Sequence, residues 1–265
     1  MNRNDAQALT AAQRRALLCE AALGLVYPRC CPFCGAVLGT RERCEACEEQ
    51  LRPYHLTRAR LAPESHYFGA LSGAAAVYRY EGPVRRAVLR LKYGGAAWSA
   101  RELGNCMAQA LFACTFYRKY GILLPERADA ADAAADVIVP VPPSDDRRGY
   151  HVTELLARPL ALALDAPLQP HALERRRFER HQAGLPLAER LANVAGAFAV
   201  APGCAVEGRR VLLVDDVITT GATAAACTAA LLDAGAESVF AVGLASSQWQ
   251  QDAPDEEQDP SWQEF

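Results

Sequence analysis

An α/β fold built around a parallel sheet, with a small cysteine-rich segment ahead of it, is what this sequence predicts. Three observations carry the prediction. Val211-Leu-Leu-Val214 is an unbroken aliphatic run that ends in two adjacent carboxylates, Asp215 and Asp216, and a Thr/Gly turn. A run with no polar face fits a strand covered on both sides. A second such run, Val137-Ile-Val-Pro-Val141, also stops at a rigid turn, and each run is followed by a helical stretch. Ahead of both lie two Cys-x-x-Cys pairs, Cys31/Cys34 and Cys44/Cys47.

In order, residues 11–26 predict an amphipathic helix and 1–27 an N-terminal unit. Arg14-Arg15 before the apolar run mimics a secretory leader, but Glu20 interrupts it and no small-x-small cleavage site follows. Residues 28–52 form the cysteine segment. Four thiolates at this spacing suit one tetrahedral Zn²⁺, with Gly35 easing the turn after Cys34. The ligand set is Cys31, Cys34, Cys44 and Cys47, with Cys30 as the spare; four reduced thiols without metal are the alternative. Such a site is structural, because four thiolates leave no open position, and metal supplies much of the folding energy of so short a segment.

Residues 53–70, with Pro53 and Pro63, predict a connector, and 71–247 the main domain. There a strand over 74–80 precedes a helix over 84–91 ending at Lys92-Tyr-Gly-Gly95, and a longer helix runs from Trp98 to about Tyr120. Residues 121–135 continue the helix or form a linker. A strand over 136–141 and a helix over 151–164 follow. Leu173-Glu-Arg-Arg-Arg-Phe-Glu-Arg-His-Gln182 is the most basic part of the chain. A helix over 186–192, a strand over 196–200, the strand at 211, its helix over 224–234 and a strand over 238–244 complete the domain. Residues 248–265 carry acidic groups and no Lys or Arg, and predict a disordered tail.

Composition narrows the classes. The chain has 265 residues, 51% hydrophobic and 22% charged, enough for one α/β domain and an appendage. A net charge of −3 gives no global attraction to nucleic acid. Nothing reaches the roughly 18 apolar residues of a membrane span, so the expectation is a cytoplasmic protein with free or metal-bound thiols and no stable membrane insertion.

The loop Thr219-Thr-Gly-Ala-Thr223 offers hydroxyls, a glycine that admits close approach, and the N–H groups that open a helix; these favour a phosphate. Neither GxxxxGK[ST] nor GxGxxG is present there. Two carboxylates beside such a cradle suit vicinal hydroxyls or a Mg²⁺ ion, so a sugar diol carrying a phosphate satisfies both halves. Helix capping is the alternative for one aspartate and leaves the other unexplained. Arg147 and Arg148, just beyond a strand end, could grip a pyrophosphate or form a solvated pair. Arg175, Arg176, Arg177 and Arg180 could hold a polyanion, with Phe178 to stack on a base, or form a solvated face.

The hydrophobic run followed by Asp-Asp-Val-Ile-Thr-Thr-Gly-Ala-Thr resembles the phosphoribosyl-pyrophosphate (PRPP) signature of type I phosphoribosyltransferases. The resemblance implies a phosphoribosyltransferase-like parallel sheet flanked by helices. Asp215 and Asp216 would take the ribose diol, and Thr219, Thr220, Gly221, Ala222 and Thr223 the 5′-phosphate. Further motifs follow in order: the cysteine pairs, Tyr80-x-Gly-x-Val84, Leu91-Lys-Tyr-Gly94, Val139-Pro-Val-Pro142, Arg148-Gly-Tyr150, Arg175-x-Arg177 with Gln182, Arg190-x-x-Asn193 and Ala197-Phe198. This order is similar to that of the competence-associated ComF/GntX family across roughly residues 28–246. Members typically carry Arg-Gly-Phe-Asn-Gln where this chain has Arg148-Gly-Tyr-His-Val152, and a Thr where it has Glu179. The resemblance implies a Mg²⁺-dependent transfer of phosphoribose to an unidentified acceptor, with Arg147, Arg148 and Lys92 on the pyrophosphate. The alternative is a non-catalytic accessory that binds single-stranded DNA during natural transformation, with PRPP as a regulatory ligand. Expected partners are PRPP, single-stranded DNA, the DNA-uptake machinery and, in a homodimer, a second copy of the chain.

Overall fold

The computed structural model describes residues 29–39, 41, 44–56, 71–119, 122–126, 135–144, 149–176 and 196–247. The predicted helices over 11–26 and 186–192, the connector beyond residue 56 and the acidic tail lie outside them. In chain order the elements are α1 (Glu45–Leu51), β1 (Gly73–Arg79), α2 (Gly82–Tyr93), α3 (Ala100–Phe112), β2 (Thr115–Lys119), β3 (Ile122–Glu126), β4 (Val137–Pro140) and α4 (Val152–Leu164). Then come β5 (Leu173–Arg175), β6 (Phe198–Val200), β7 (Arg210–Ile218), α5 (Ala222–Asp233) and β8 (Ser238–Ser246).

The sequence-predicted architecture is present. β1, β8, β7 and β4 lie in that order, and all three pairings are parallel. β7 is interior and buries both faces. Leu212 and Val214 pack with α2, α3 and α4, whereas Val211 and Leu213 pack with α5. Leu168, just past α4, makes a parallel bridge to Ile138 on the free side of β4. The chain therefore winds outward from β4 through α4 on one face, and from β7 to β8 through α5 on the other. The winding reverses between β4 and β7, and in open α/β sheets the ligand crevice lies at the carboxyl ends of the strands flanking such a point.

Two expectations are corrected. The helix predicted from 98 to about 120 spans only Ala100–Phe112, and Trp98 sits in a preceding 3₁₀ turn. Ala113 takes a left-handed φ of 50° and ends the helix. Beyond it Thr115-Phe-Tyr, good strand formers, pair antiparallel with residues 122–126, which open the stretch read as helix or linker. The basic run likewise begins as a strand, since β5 pairs antiparallel with β6.

The cysteine segment is docked on the main body. Arg29 forks onto buried Glu102 of α3 at 2.9 and 2.8 Å, and Phe33 meets Tyr78 of β1 edge to face. Burial alone would push the Glu102 carboxyl up; the hydrogen bonds and charge of Arg29, with Arg101, outweigh it and hold the group below its ordinary value. Among the described residues no helix is long and apolar enough to cross a membrane.

Gly104 sets the spacing of α3 on α4. A Cβ there would stand 2.6 Å from the Leu156 carbonyl oxygen and 2.7 Å from Pro159 Cγ. Gly104→Ala gains up to about 1 kcal/mol of helix propensity but forces two backbones apart, which costs about 1–3 kcal/mol. The expected outcome is a thermal midpoint several degrees lower by calorimetry; an unchanged or higher midpoint would mean the two helices slide apart freely.

Candidate functional site: a strand-end carboxylate pair and a four-cysteine knuckle

The knuckle is built by short backbone contacts. The Cys31 amide donates to the Ala36 carbonyl, Gly35 donates back to the Cys31 carbonyl, and Gly35 takes a φ of 81° that a side chain would resist. Amides of Phe33 and Cys34 point at the Cys31 sulfur and that of Ala36 at the Cys34 sulfur. Cys44 and Cys47 come from the start of α1. The four Sγ atoms of Cys31, Cys34, Cys44 and Cys47 all lie within 4.8 Å of one another. Thiolates held about 2.3 Å from a tetrahedral zinc stand roughly 3.8 Å apart, and Cys34 and Cys44 are 3.8 Å apart. Cys30 is outside the group; its backbone pairs with Val37.

The electrostatics fit a dication. The Ala36 amide, with the neighbouring thiols, lowers Cys34 to about 7. Burial and the facing sulfurs drive Cys47 far up, and burial also raises Cys31. Burial disfavours charge on Cys31 and Cys47, so a positive ion beside them is what thiolates there require. The cluster can bind a metal such as zinc, and its donor set is that of a closed structural site. Elemental analysis of the purified protein is expected to give about one zinc per chain, with Cys44→Ser losing it.

The second centre follows from the period of a strand. Adjacent residues leave a strand on opposite faces, so Asp215 continues the α5-facing series and Asp216 the α2-facing one. Asp216 is buried and its Oδ2 lies 2.7 Å from Lys92 Nζ at the end of α2. Asp215 Oδ1 accepts the Asp216 amide, and Asp216 Oδ1 accepts the Val217 amide, each at 2.8 Å. Burial first, and the Asp216 charge second, push Asp215 up to about 8. Lys92 is raised: burial opposes its charge, and the attraction of Asp216 and Asp215 prevails. Lys92 is paired with Asp216, which leaves Asp215, among the described residues, as the carboxyl group without a cation paired to it and suits it to a hydroxyl donor or a bound cation.

Beyond β7 the chain turns through exposed Thr219 and Thr220 to Gly221, which has a left-handed φ of 81° and opens α5. Thr220 Oγ1 accepts the Ala222 amide at 3.3 Å. The hydroxyls of Thr219, Thr220 and Thr223 and the first amides of α5 stand one turn from the carboxylates. Lys92, expected at a pyrophosphate, is held on Asp216. Arg147, Arg148, Arg177, Arg180 and Phe178 lie outside the described residues. Arg175 is exposed and its guanidinium lies 4.7 Å over the Phe198 ring. Burial pushes the Cys227 thiol of α5 well up, Asp215 pushes it further and Arg175 opposes; Arg175 and Asp215 thus act on one face of the sheet. Arg176 pairs its backbone with Ala197.

Sequence reasoning missed Arg90 and Tyr150. Arg90 Nη2 donates to the knuckle carbonyls of Pro32 and Phe33 at 2.7 and 2.6 Å, and the Tyr150 hydroxyl donates to the Leu91 carbonyl at 2.6 Å. These contacts span 57 to 59 residues, and no local pattern announces them.

Asp215 gives a signed stability prediction. A folded value above the unfolded one contributes stability that is complete below pH about 4 and lost as pH rises through about 8. Without added Mg²⁺ or PRPP, the thermal midpoint is expected to fall across that window. Asp215→Asn should flatten the fall and raise the midpoint at pH 8 by about 1–2 kcal/mol equivalent; a parallel pH curve for the variant would refute it.

No family model matches the chain. It is 32% identical over 170 residues to Competence protein F of Haemophilus influenzae, covering 63% of this chain and 69% of that protein. It is 28% identical over 228 residues to the DNA utilization protein YhgH of Escherichia coli K12, covering 84% of this chain and 92% of that protein. A solved structure of glutamine PRPP amidotransferase from B. subtilis, complexed with ADP and GMP, shares 26% identity over 56% of this chain and 26% of its own length. Its TM-score is 0.35, too low to bear on the fold. Identity of 32% sustained across more than two thirds of Competence protein F shows that the chain belongs to the competence protein F (ComF) family.

Proposed function

We propose that this protein is a cytoplasmic, PRPP-binding, phosphoribosyltransferase-like member of the ComF family that works in DNA uptake. The observation that supports it most is the carboxyl end of β7. There Asp216, paired with Lys92, stands beside Asp215, and a hydroxyl-rich turn into the N-terminus of α5 follows at once. A sugar with a free diol and a 5′-phosphate matches that order of acceptors and donors. Asp215 and Asp216 accept the two hydroxyls. Thr219, Thr220 and Thr223, with the opening amides of α5, hold the phosphate, which the helix N-terminus favours.

In transfer, the bond from the ribose anomeric carbon to pyrophosphate breaks and a bond to the acceptor forms. Positive charge develops on the ring and negative charge on the leaving group. No covalent nucleophile is required; the chain orients the sugar and places charge. Asp215 and Asp216 are the groups assigned to the sugar, and Arg147 and Arg148 those assigned to the pyrophosphate. Mg²⁺, when bound with PRPP, supplies neutralisation of the pyrophosphate oxygens.

DNA handling is the second reading. The names of the relatives favour it, and Arg175, exposed above the buried Phe198 ring, opens the most basic stretch of the chain. The α1 face of the cysteine segment opposes it locally, because Glu45, Glu48 and Glu49 are exposed there and repel phosphates. DNA contact is therefore assigned to the basic stretch from Arg175 onward.

Calorimetric titration of Mg·PRPP into the zinc-loaded protein is expected to give one site, and the Asp215→Asn/Asp216→Asn variant at least a hundredfold weaker binding, about 2.8 kcal/mol. Equal binding by both would overturn the assignment. If single-stranded DNA binds instead, its affinity should fall steeply with salt and drop on Arg175→Ala.

A further inference from the structure

The last turn of α2 joins the two centres. Residues 90 and 92 are two steps apart on a helix of 3.6 residues per turn, so their side chains leave about 200° apart. Arg90 faces the knuckle, where a single Nη2 bridges the carbonyls of Pro32 and Phe33. Lys92 faces the sheet and pairs with Asp216. Leu91, between them, is fully buried. The final carbonyls of a helix lack partners within it, and here they are taken up. The Arg90 carbonyl accepts the amides of Gly94 and Ala96, and the Leu91 carbonyl accepts the Tyr150 hydroxyl. The turn is thus fixed on the knuckle side, on the strand side and at its end.

Pro32 and Phe33 are the two residues between Cys31 and Cys34. Their carbonyls lie inside the turn that brings those cysteines together, so the Arg90 guanidinium is seated on the knuckle itself. At the other end the demand is for a compact charge. The sequence has 28 Lys and Arg residues, of which only Lys92 and Lys119 are lysine, leaving 28 − 2 = 26 arginines. An ammonium fits a single carboxylate oxygen at 2.7 Å where a guanidinium fork would want both.

We propose that the four-cysteine knuckle holds Lys92 on Asp216 through the last turn of α2, with Arg90 and Tyr150 as positioning residues. Metal loss from the knuckle then loosens Lys92 on the far side of the same helical turn. The consequence for ligand affinity rests on the sugar-phosphate reading above; the link between knuckle and lysine does not.

The test is acetylation of the full-length, zinc-loaded chain by a limiting amine-reactive ester, with Lys92 quantified against Lys119 by peptide mass spectrometry. Arg90→Met and Tyr150→Phe are each expected to raise relative labelling of Lys92 roughly tenfold, as is removal of zinc by a chelator. Arg86→Met, exposed one turn before Arg90 on the same helix, should leave it unchanged. Thermal transitions and zinc content establish that each variant is folded. Wild-type labelling in folded Arg90→Met overturns the proposal. If Arg90→Met does not fold, Tyr150→Phe and the chelated protein decide in the same way. Mg·PRPP titrations on the same samples should show affinity falling as labelling rises, with no further loss when Arg90→Met is added to Lys92→Met. If wild-type protein binds no PRPP, the sugar-phosphate reading falls, and the labelling still decides the link.

Discussion

β7 is an interior strand, and the strand period allows it no neutral end. Every residue from Val211 to Val214 is buried, alternately against α5 and against α2, α3 and α4. When the run gives way to Asp215 and Asp216, each layer of the molecule receives one carboxylate at its rim. The α2 layer answers with Lys92. The α5 layer offers a helix N-terminus and a glycine turn, which carry no formal charge. The asymmetry of the site, one paired acid and one raised acid, is thus a product of sheet geometry.

That asymmetry has an energetic consequence. Holding Asp215 where burial and Asp216 both disfavour its charge works against the fold at neutral pH. The core offsets it on both sides of the strand, where Leu212, Leu213, Val214 and Leu231 are fully buried. Sites that bind charged ligands commonly sit at a local cost of this kind, and the binding partner relieves it.

What was legible in the sequence were features encoded within about a dozen residues. The aliphatic run into Asp215-Asp216, the turn at Gly221 and the spacing of Cys31, Cys34, Cys44 and Cys47 each carry their own chemistry. The sheet was legible because its strands lack a polar face. The end of α3 was not: residues 98–120 keep helix-compatible polarity, and the break depends on Ala113 entering a left-handed conformation that propensity does not anticipate. Lys92 stood out in its motif, but its partner is 124 residues further on, and Arg90 and Tyr150 act through carbonyls, which every residue possesses. Side-chain identity announces charge and metal affinity; it says nothing of which backbone groups a fold leaves in need of a donor.

The pairing of β1 with β8 bears on how the chain is made. The Ser72 hydroxyl reaches the Val239 carbonyl across 167 residues. At about 5–20 residues per second a ribosome needs roughly 8–33 s to cover that distance. Until then β1, among the described residues, has backbone partners in His55 and Leu56, and its pairing with β8 must wait. The cysteines span residues 31 to 47 and need nothing from the far end of the chain to converge. Metal capture is thereby a local event available early in synthesis, and closure of the sheet a late one. The knuckle emerges as an anchored, compact start against which β1 and α2 are later docked.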